Sequence, residues 1–293
     1  MARTDHPCFD HARRARVGAA ERLFNPGFRM LLLTRGRYVA RLAETQHDLT
    51  AAQALRHRSF LARRGMAAQE GRDSDAFDAM CRHVLIAERA SGALVCCYRL
   101  LAFRAGQSLS GSYAAQVYDL RALDGFAGAK LELGRFCLDP AWHDPDILRL
   151  AWGAMAQIVD AEAIGLLFGC SSFEGADWAP HTPALALLRN HLAPAPWMPA
   201  RKAAEVFDFA RHLRDTPVDL RLAMQTLPPL LRTYLAMAGW VSDHAVLDHA
   251  LDTLHVFTAV EIAKIPPARA RALRAVSDDP GAASPIDAAR KVS

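Results

Sequence analysis

The segment LELGRFCLDP, at Leu131–Pro140, places two charged side chains in a stretch with the apolar content of a core strand. In a regular strand Glu132 and Gly134 share one face, while Arg135 points to the other. Burying these charges is costly unless they pair with each other or take part in chemistry. In chemistry, a carboxylate can accept a proton and a guanidinium can bind a planar anion.

Three further polar clusters stand out against the apolar sequence. Arg56 lies on the first predicted helix, and Arg99 lies on the apolar strand VCCYRLL. Between them a Gly- and Asp-rich connection carries Asp73, Asp75 and Asp78. Each cluster has a simpler interpretation, with the aspartates as solvated turn residues and Arg99 as the exposed residue of a half-buried strand. No metal-ligand spacing, Gly-rich phosphate loop or G-x-S-x-G motif is present in the sequence.

The composition indicates a soluble globular protein. The chain has 293 residues, of which 52% are hydrophobic and 23% charged, and a net charge of +4 that does not by itself indicate nucleic-acid binding. Six cysteines form no C-x-x-C pair, which predicts reduced thiols in a cytoplasmic protein. No apolar run approaches the ~18 residues of a membrane span.

The two ends of the chain differ in composition from its middle. Eight arginines and three acidic residues precede Tyr38, so residues 1–36 are predicted to form a basic arm. Such an arm can contact an acidic protein or an anionic membrane surface, and the alternative is that it is simply solvated. From Pro266 onward the sequence is rich in Ala, Arg, Pro, Asp and Ser, which predicts a disordered tail over 266–293. Residues 37–265 are predicted to form one domain.

The hydrophobic pattern predicts a mixed α/β sheet wrapped by helices. A first strand spans 37–44, and a helix spans 48–64 with a capping box of Thr50 and Gln53. Two strands flank a turn at Ala90–Gly92. The remaining elements are helices over 145–163, 182–192 and 228–238 and strands over 131–140, 164–172, 205–209, 239–248 and 253–262.

Taken together in chain order, these pieces resemble a known family. RHRSF, DSDAFDAMCRH, YRLL, LELGRFCLDP, GLLFGCSSFEG and PPLLRTYLAMAGWVSDHAVLD are similar to segments of the bacterial ornithine N-acyltransferases, the first enzymes of ornithine-lipid synthesis. More distantly, the chain resembles the acyl-homoserine-lactone synthases. Both have the GNAT fold, so the resemblance implies a central, mostly antiparallel twisted sheet flanked by helices. In that fold the fourth strand bulges and splays from the fifth, and Gly134 is the residue that a bulge would favour.

The resemblance also implies a reaction and a set of residues. A long-chain 3-hydroxyacyl group would pass from a thioester on the 4′-phosphopantetheine of acyl carrier protein to the α-amine of ornithine, giving lyso-ornithine lipid. No tightly bound cofactor, metal or nucleic acid is implied, and the product suggests peripheral contact with the inner membrane. The implied catalytic residues are Glu132 as base, Arg135 and Gly134; the substrate would contact Asp75, Asp78, Arg99 and Arg56; and the acyl-pantetheine would contact Phe136, Cys137, Ser171, Ser172 and Phe173.

One departure from the wider superfamily bears on the acyl donor. Acetyl-CoA enzymes have a Gly-rich loop before the helix that follows the fourth strand, whereas this chain has DPAWHDPDILR without glycine. This favours a carrier-protein donor, with Arg149 and the N-terminal arginines as docking residues. Two alternatives stay open. A homoserine-lactone synthase shares the same charged residues, and the fold could also serve as a non-catalytic module that binds carrier protein or a membrane surface.

Overall fold

A computed structural model describes residues 32–61 and 71–276. Its centre is a nine-stranded sheet with the strand order β1-β2-β3-β4-β6-β7-β11-β10-β9, and β5 pairs separately with β8. The strands are β1 Leu32–Arg35, β2 Tyr38–Leu42, β3 Arg82–Glu88, β4 Leu94–Phe103, β5 Tyr118–Asp119, β6 Ala129–Leu138, β7 Ile164–Glu174, β8 Ala200–Arg201, β9 Val206–Phe207, β10 Trp240–Asp248 and β11 Thr253–Glu261.

Helices and loops cover the two faces of this sheet. The helices are α1 Gln46–Arg56, α2 Pro145–Ala161, α3 Thr182–Leu188, α4 Phe209–His212, α5 Leu220–Thr226, α6 Pro229–Ala236 and α7 Pro267–Arg274. Apolar side chains of α2, α3 and α6 pack on one side, which we call the α2 face. The other side, the loop face, is covered by α1 and by the segment 104–128. The mixed α/β sheet that the hydrophobic pattern predicted is confirmed, as is the mostly antiparallel pairing that the resemblance implied.

The connection from β6 to β7 allows these two neighbouring strands to run in the same direction. β6 and β7 pair in parallel, and α2 provides the crossover that parallel neighbours need. Asp144 caps α2 by accepting the backbone N–H of Asp146, and Pro145 occupies the first helical turn, where a missing N–H costs nothing. Ile147 and Leu150 then bury the apolar stripe of α2 against the sheet.

The first helix begins earlier than the sequence predicted. Thr45 caps α1, and its hydroxyl accepts the N–H of Asp48 while the Asp48 carboxylate accepts the N–H of Thr45. The predicted capping box of Thr50 and Gln53 is therefore wrong, because Gln53 is buried and donates to Asp78 instead. After α1, a π-helical turn spans His57–Leu61, and the rest of the predicted helix lies outside the described residues.

Ordered elements lie beyond both predicted domain boundaries. β1 lies within the predicted arm and pairs with β2. The predicted tail begins with α7, whose Arg274 forms an ion pair with Asp160 of α2 at 2.6 Å. Ala and Arg are good helix formers and Pro267 suits a helix start, so this composition supports a helix. The remainder of the arm and of the tail, 1–31 and 277–293, lies outside the described residues.

The segment 104–128 is a folded cover for the loop face. It contains three 3-10 turns and β5. Leu109, Tyr118 and Leu123 are fully buried against the sheet. This packing holds the turn at Tyr113 over β6. Within 32–61 and 71–276, no helix is both long enough and apolar enough to cross a bilayer.

Candidate active site

β6 and β7 separate in the middle of the sheet. Their pairing runs from Ala129 opposite Ile164 to Glu132 opposite Phe168, and no further pairs join these two described strands. Gly169 lies immediately after the last pair, where a Cβ would overlap the carbonyl oxygen of Leu133. The splayed strands that the resemblance implied are therefore confirmed, and we call this opening the fork.

A β-bulge lies on β6 beside the fork. Cys97 of β4 faces Cys137, but Arg99 faces Gly134, so β6 has one more residue than β4 over this interval. Arg135 adopts the left-handed conformation with φ +52°. The predicted bulge exists, but the prediction that Gly134 provides its special conformation is wrong. A Cβ at position 134 would make only ordinary contact with the Arg99 side chain, 3.4 Å from its Nε.

Glu132 is buried at the fork, with 4% of its surface exposed. Its Oε2 accepts the backbone N–H of Tyr113 at 2.8 Å and its Oε1 accepts that of Ala114 at 2.7 Å. Burial raises the pKa of Glu132 to about 7, although the two N–H groups and the nearby charge of Arg99 oppose this shift. The carboxyl group is thus poised to exchange a proton near neutral pH.

Behind Glu132, buried arginines and aspartates pair in a network. Arg56 donates from Nη1 to Asp78 Oδ1 at 2.7 Å and from Nη2 to Asp78 Oδ2 at 2.9 Å. Its Nε reaches Asp73 Oδ2 at 3.2 Å. Burial acts to raise the pKa of Asp78, but hydrogen bonds from Arg56 and Gln53 and the positive charges outweigh it and lower that pKa. Asp78 is therefore a permanent anion at neutral pH.

Arg99 and Arg135 complete the network. Arg99 binds Asp75 through two hydrogen bonds, at 2.6 and 2.9 Å, and also reaches Asp78 at 2.9 Å. Arg135 donates from Nε to Asp73 at 3.0 Å and from Nη2 to Asp75 at 3.3 Å. Three arginines thus face three aspartates, and the network is balanced in charge. It ties the bulge of β6 to the connection after α1.

A cavity of about 670 Å³ passes through the fork. Its lining residues lie on both faces of the sheet, because alternate residues of β6 and β7 point to opposite sides. The loop-face part is polar and includes Arg99, Tyr113, Glu132, Ser172 and His255, whereas the α2-face part is apolar and includes Phe136, Phe173, Leu227, Leu230 and Tyr234.

The predicted site residues divide into two groups. The cavity is lined by Glu132, Gly134, Arg135, Arg99, Phe136, Ser171, Ser172 and Phe173.

The other four predicted residues do not line the cavity. Asp75, Asp78 and Arg56 lie one layer behind its wall, where they form ion pairs within the network instead of facing the cavity. Cys137 is buried on the side of α1, with its Sγ 3.6 Å from that of Cys97. Its predicted contact with acyl-pantetheine is wrong for this arrangement, because the bulge reverses the direction of the side chains after Arg135.

Sequence reasoning missed several cavity residues. No sequence motif singled out Tyr113, yet its backbone N–H donates to Glu132 and its ring centre lies 5.0 Å from the Arg135 guanidinium carbon. His255 of β11 lies opposite Ser172, and burial lowers the pKa of its imidazole to about 4. The apolar composition of β11 could have marked His255 as a polar residue in a buried strand. Nothing in the sequence, however, indicates that β11 pairs with β7.

Two thiols in the cavity wall are poor nucleophiles. Burial raises the pKa of Cys81 to about 12. Burial also raises the pKa of Cys170, and the charge of Glu132 adds to the effect. Because the thiolate is the reactive form, neither residue is suited to forming a covalent acyl intermediate at neutral pH.

Carboxylates occupy the start of α2. Asp146 pairs with Arg35 at 3.0 Å and with Arg149 at 2.8 Å. Asp144 binds the hydroxyl of Tyr38 at 3.0 Å and caps the helix. The first turn of the helix therefore already has anions at the place where a helix N-terminus can receive a phosphate.

Part of the chain matches a known family model. Residues 55–153 match the family model described as Acetyltransferase (GNAT) domain. Among solved structures, FeeM, an N-acyl amino acid synthase from uncultured soil microbes, is 12% identical with a TM-score of 0.42, covering 78% of this chain and 92% of that chain.

Relatives in sequence cover most of the chain. An L-ornithine N(alpha)-acyltransferase of Brucella abortus (strain 2308) is 29% identical over 260 residues, which is 84% of this chain and 92% of the relative. The L-ornithine N(alpha)-acyltransferase of Rhodobacter capsulatus is 30% identical over 76% of this chain and 90% of the relative. The predicted resemblance is confirmed, and the chain belongs to the L-ornithine N(alpha)-acyltransferase family.

Proposed function

We propose that this protein transfers a long-chain 3-hydroxyacyl group from acyl carrier protein to the α-amine of ornithine, giving lyso-ornithine lipid. The observation that carries the proposal is the carboxyl group of Glu132, buried at the fork with a pKa of about 7 and lining a cavity that spans the sheet. The names of the relatives support ornithine as the acceptor. The apolar half of the cavity suits an acyl chain.

In the proposed mechanism Glu132 accepts a proton from the attacking amine. The α-amine is mostly protonated near pH 7, and it must lose a proton to attack the thioester carbonyl. That first proton passes to water. As the nitrogen of the neutral amine forms the C–N bond it loses a second proton to Glu132, and Glu132 passes this proton to the sulfur as the C–S bond breaks, which leaves an amide and a thiol. A carboxylate whose pKa lies near the working pH can both take and return the proton.

The residues around the bulge have the roles of orientation and charge stabilisation. Past Glu132 and Phe168, β6 and β7 no longer pair, so backbone N–H groups near Gly134–Phe136 are the candidates to stabilise the oxyanion that forms on the carbonyl. Arg135 Nη1 pairs with no carboxylate among the described residues, and we assign it to the substrate carboxylate. The reaction as proposed is a direct group transfer, so it needs no resident cofactor.

The start of α2 supports a carrier-protein donor. A pyrophosphate placed there would meet the carboxylates of Asp144 and Asp146, whereas phosphopantetheine on a carrier protein lacks the nucleotide half of coenzyme A. Arg149 is exposed at the same end of the helix and can meet the acidic surface of a carrier protein. Peripheral membrane contact remains part of the proposal, because the lipid product partitions into bilayers.

The test is a thiol-release assay on the purified protein. 3-Hydroxyacyl carrier protein is offered with ornithine, lysine, glutamine, glycine or S-adenosylmethionine, and 3-hydroxyacyl-CoA replaces it in a parallel series. We expect release that depends on ornithine and on the carrier protein, with almost none from Glu132→Gln.

Other results would assign a different function. Release only with S-adenosylmethionine would indicate a homoserine-lactone synthase. Equal rates with the coenzyme A thioester would overturn the carrier-protein donor. Carrier binding without release, whichever acceptor is present, would leave a non-catalytic binding module.

A further inference from the structure

The three aspartates of the network differ in what they face. Asp75 and Asp78 use both carboxylate oxygens to bind guanidinium groups and lie behind the cavity wall. Asp73 lines the cavity. Its Oδ2 binds both Arg56 and Arg135, while its Oδ1 accepts no hydrogen bond from any residue of 32–61 or 71–276. One oxygen of Asp73 is thus available to a molecule in the cavity.

From this geometry we propose that Asp73 binds the side-chain ammonium of the amino-acid acceptor and so makes the site selective for a cationic substrate. This inference rests on the proposed function, since it assigns a second contact to the same acceptor. The residue was noted in the sequence only as a member of an acidic connection, with no role of its own.

Position favours Asp73 over the other acids of the cavity. Glu132 uses both oxygens to accept backbone N–H groups and acts as the base. Glu174 is six residues beyond Phe168, the residue opposite Glu132, which is about 20 Å along the strand at ~3.3 Å per residue. Asp248 lies level with Glu174, because both residues pair with Thr253. Both carboxylates are therefore far from Glu132.

Asp73, by contrast, lies within reach of the reaction centre. It contacts Arg135 at 3.0 Å, and Arg135 is next to Gly134 in the strand that carries Glu132. In extended ornithine the two nitrogens are about 6 Å apart, because five bonds of about 1.5 Å separate them. Ornithine can therefore place its α-amine at Glu132 and its side-chain ammonium at Asp73 within the same part of the cavity.

Electrostatics agree with this assignment. The network of three arginines and three aspartates is neutral by itself, so a free cation near it would gain little from the overall charge. A direct charge-assisted hydrogen bond to Oδ1 is different, because it forms in a partly buried site where Asp73 has 13% of its side chain exposed. Such a bond distinguishes among amino-acid acceptors, because it forms only when the side-chain ammonium lies at the right distance from the α-amine.

The experiment compares ornithine with norvaline, which has the same carbon chain and no side-chain ammonium. In wild type we expect kcat/KM with 3-hydroxyacyl carrier protein to be about 10–100-fold higher for ornithine, as for one hydrogen bond to a charged group. Asp73→Asn should remove most of this preference by raising KM for ornithine. Any disturbance of Arg135, which Asp73 also binds, should lower kcat/KM for ornithine and norvaline by the same factor.

Asp75→Asn is the matched control. It removes the same charge from the same network at a residue that does not line the cavity, so its effect should be equal for both acceptors. Equal losses with both acceptors in Asp73→Asn would assign Asp73 a purely structural role and overturn the proposal. If Asp73→Asn does not fold, Asp73→Glu is measured with both acceptors in its place. Equal use of norvaline and ornithine by wild type also overturns the proposal.

These outcomes are distinct from failure of the proposed function. Absence of thiol release from wild type with all acceptors would remove the acyltransferase assignment, and the role of Asp73 with it. Release that does not distinguish ornithine from norvaline would overturn the role of Asp73 alone and leave the acyltransferase intact.

Discussion

The carbonyl oxygen of Leu133 lies against the Cα of Gly169, at a distance that leaves no space for a side chain. This contact comes one residue after the last pair of β6 and β7, where the strands begin to separate. The two strands therefore still lie close together at the base of the fork. The cavity, Glu132 and the bulge at Arg135 all lie beside this point.

Gly169→Ala should damage the fork, whereas Gly134→Ala should be tolerated. The new Cβ at 169 would overlap backbone, which cannot rotate away, so we expect a loss of about 1–3 kcal/mol in the free energy of unfolding and a large loss of activity. A Cβ at 134 would be in ordinary contact with the Arg99 side chain at 3.4 Å. Chemical denaturation and the thiol-release assay compare the two variants, and equal effects would refute the special role of Gly169.

Glu132→Gln should remove catalysis without unfolding the protein. Loss of a general base lowers kcat by about 10²–10⁴-fold. In wild type, kcat/KM should rise with pH through about 7, since only the carboxylate accepts a proton. The acceptor amine contributes its own increase at higher pH, and Glu132→Gln should retain only that part. A wild-type profile that is flat between pH 6 and 8 would contradict the role of base.

Glu132 should also make the stability of the protein depend on pH. Burial raises its pKa from 4.5 to about 7 in the folded protein, so the unfolded chain releases this proton first as pH rises. The free energy of unfolding should therefore fall by roughly 3 kcal/mol between pH 4.5 and 7. Glu132→Gln lacks this term, so urea titrations of the two proteins should diverge across that interval. Parallel curves would show that the pKa is not raised.

The network at Asp78 should contribute far more to stability than an exposed ion pair. Asp78→Asn leaves two buried positive charges underpaired, because Arg56 keeps only Asp73 and Arg99 keeps only Asp75 as carboxylate partners; we expect a cost of about 3–5 kcal/mol. Asp119→Asn breaks the pair with Arg121, whose side chain is 87% exposed, and should cost less than about 1 kcal/mol. Urea denaturation at pH 7 measures both. Equal values would mean that the buried network is not fully paired in solution.

Acid should weaken the same network. The pKa of Asp78 is lowered in the folded protein, so its contribution to stability is present above its ordinary pKa and is lost as pH falls below that value. Asp78→Asn should therefore be less sensitive than wild type to acid below pH 4. A wild-type midpoint in urea that does not change from pH 5 to pH 3 would contradict this expectation.

Cys170 should not be needed for activity. It lines the cavity beside Glu132, but burial keeps its thiol protonated, and the proposed transfer is direct. Cys170→Ala should retain most of kcat, and mass spectrometry of wild type incubated with acyl donor alone should detect no acyl-enzyme. An acylated Cys170, or a loss of activity as large as that of Glu132→Gln, would indicate a two-step mechanism instead.

Much of this site was predictable because its chemistry resides in residue types at fixed spacings. The pairs Asp75–Asp78 and Glu132–Arg135 and the residues Arg56 and Arg99 stood out as charges beside apolar strands, and the structure brings all of them together. The order of strands and helices followed from hydrophobic periodicity. These signals are local along the chain, so the sequence alone determined the mixed α/β sheet and the charged residues beside its strands, whereas the bulge was implied by the family resemblance.

Only the tertiary structure decided which of these residues face the cavity. Asp73 and Asp75 are two residues apart, yet one lines the cavity and the other lies behind it, because long-range pairs with Arg56, Arg99 and Arg135 orient them. The pKa of Glu132 depends on burial under residues 18 and 19 positions away. Such properties arise from contacts between distant segments, and no local spacing specifies them.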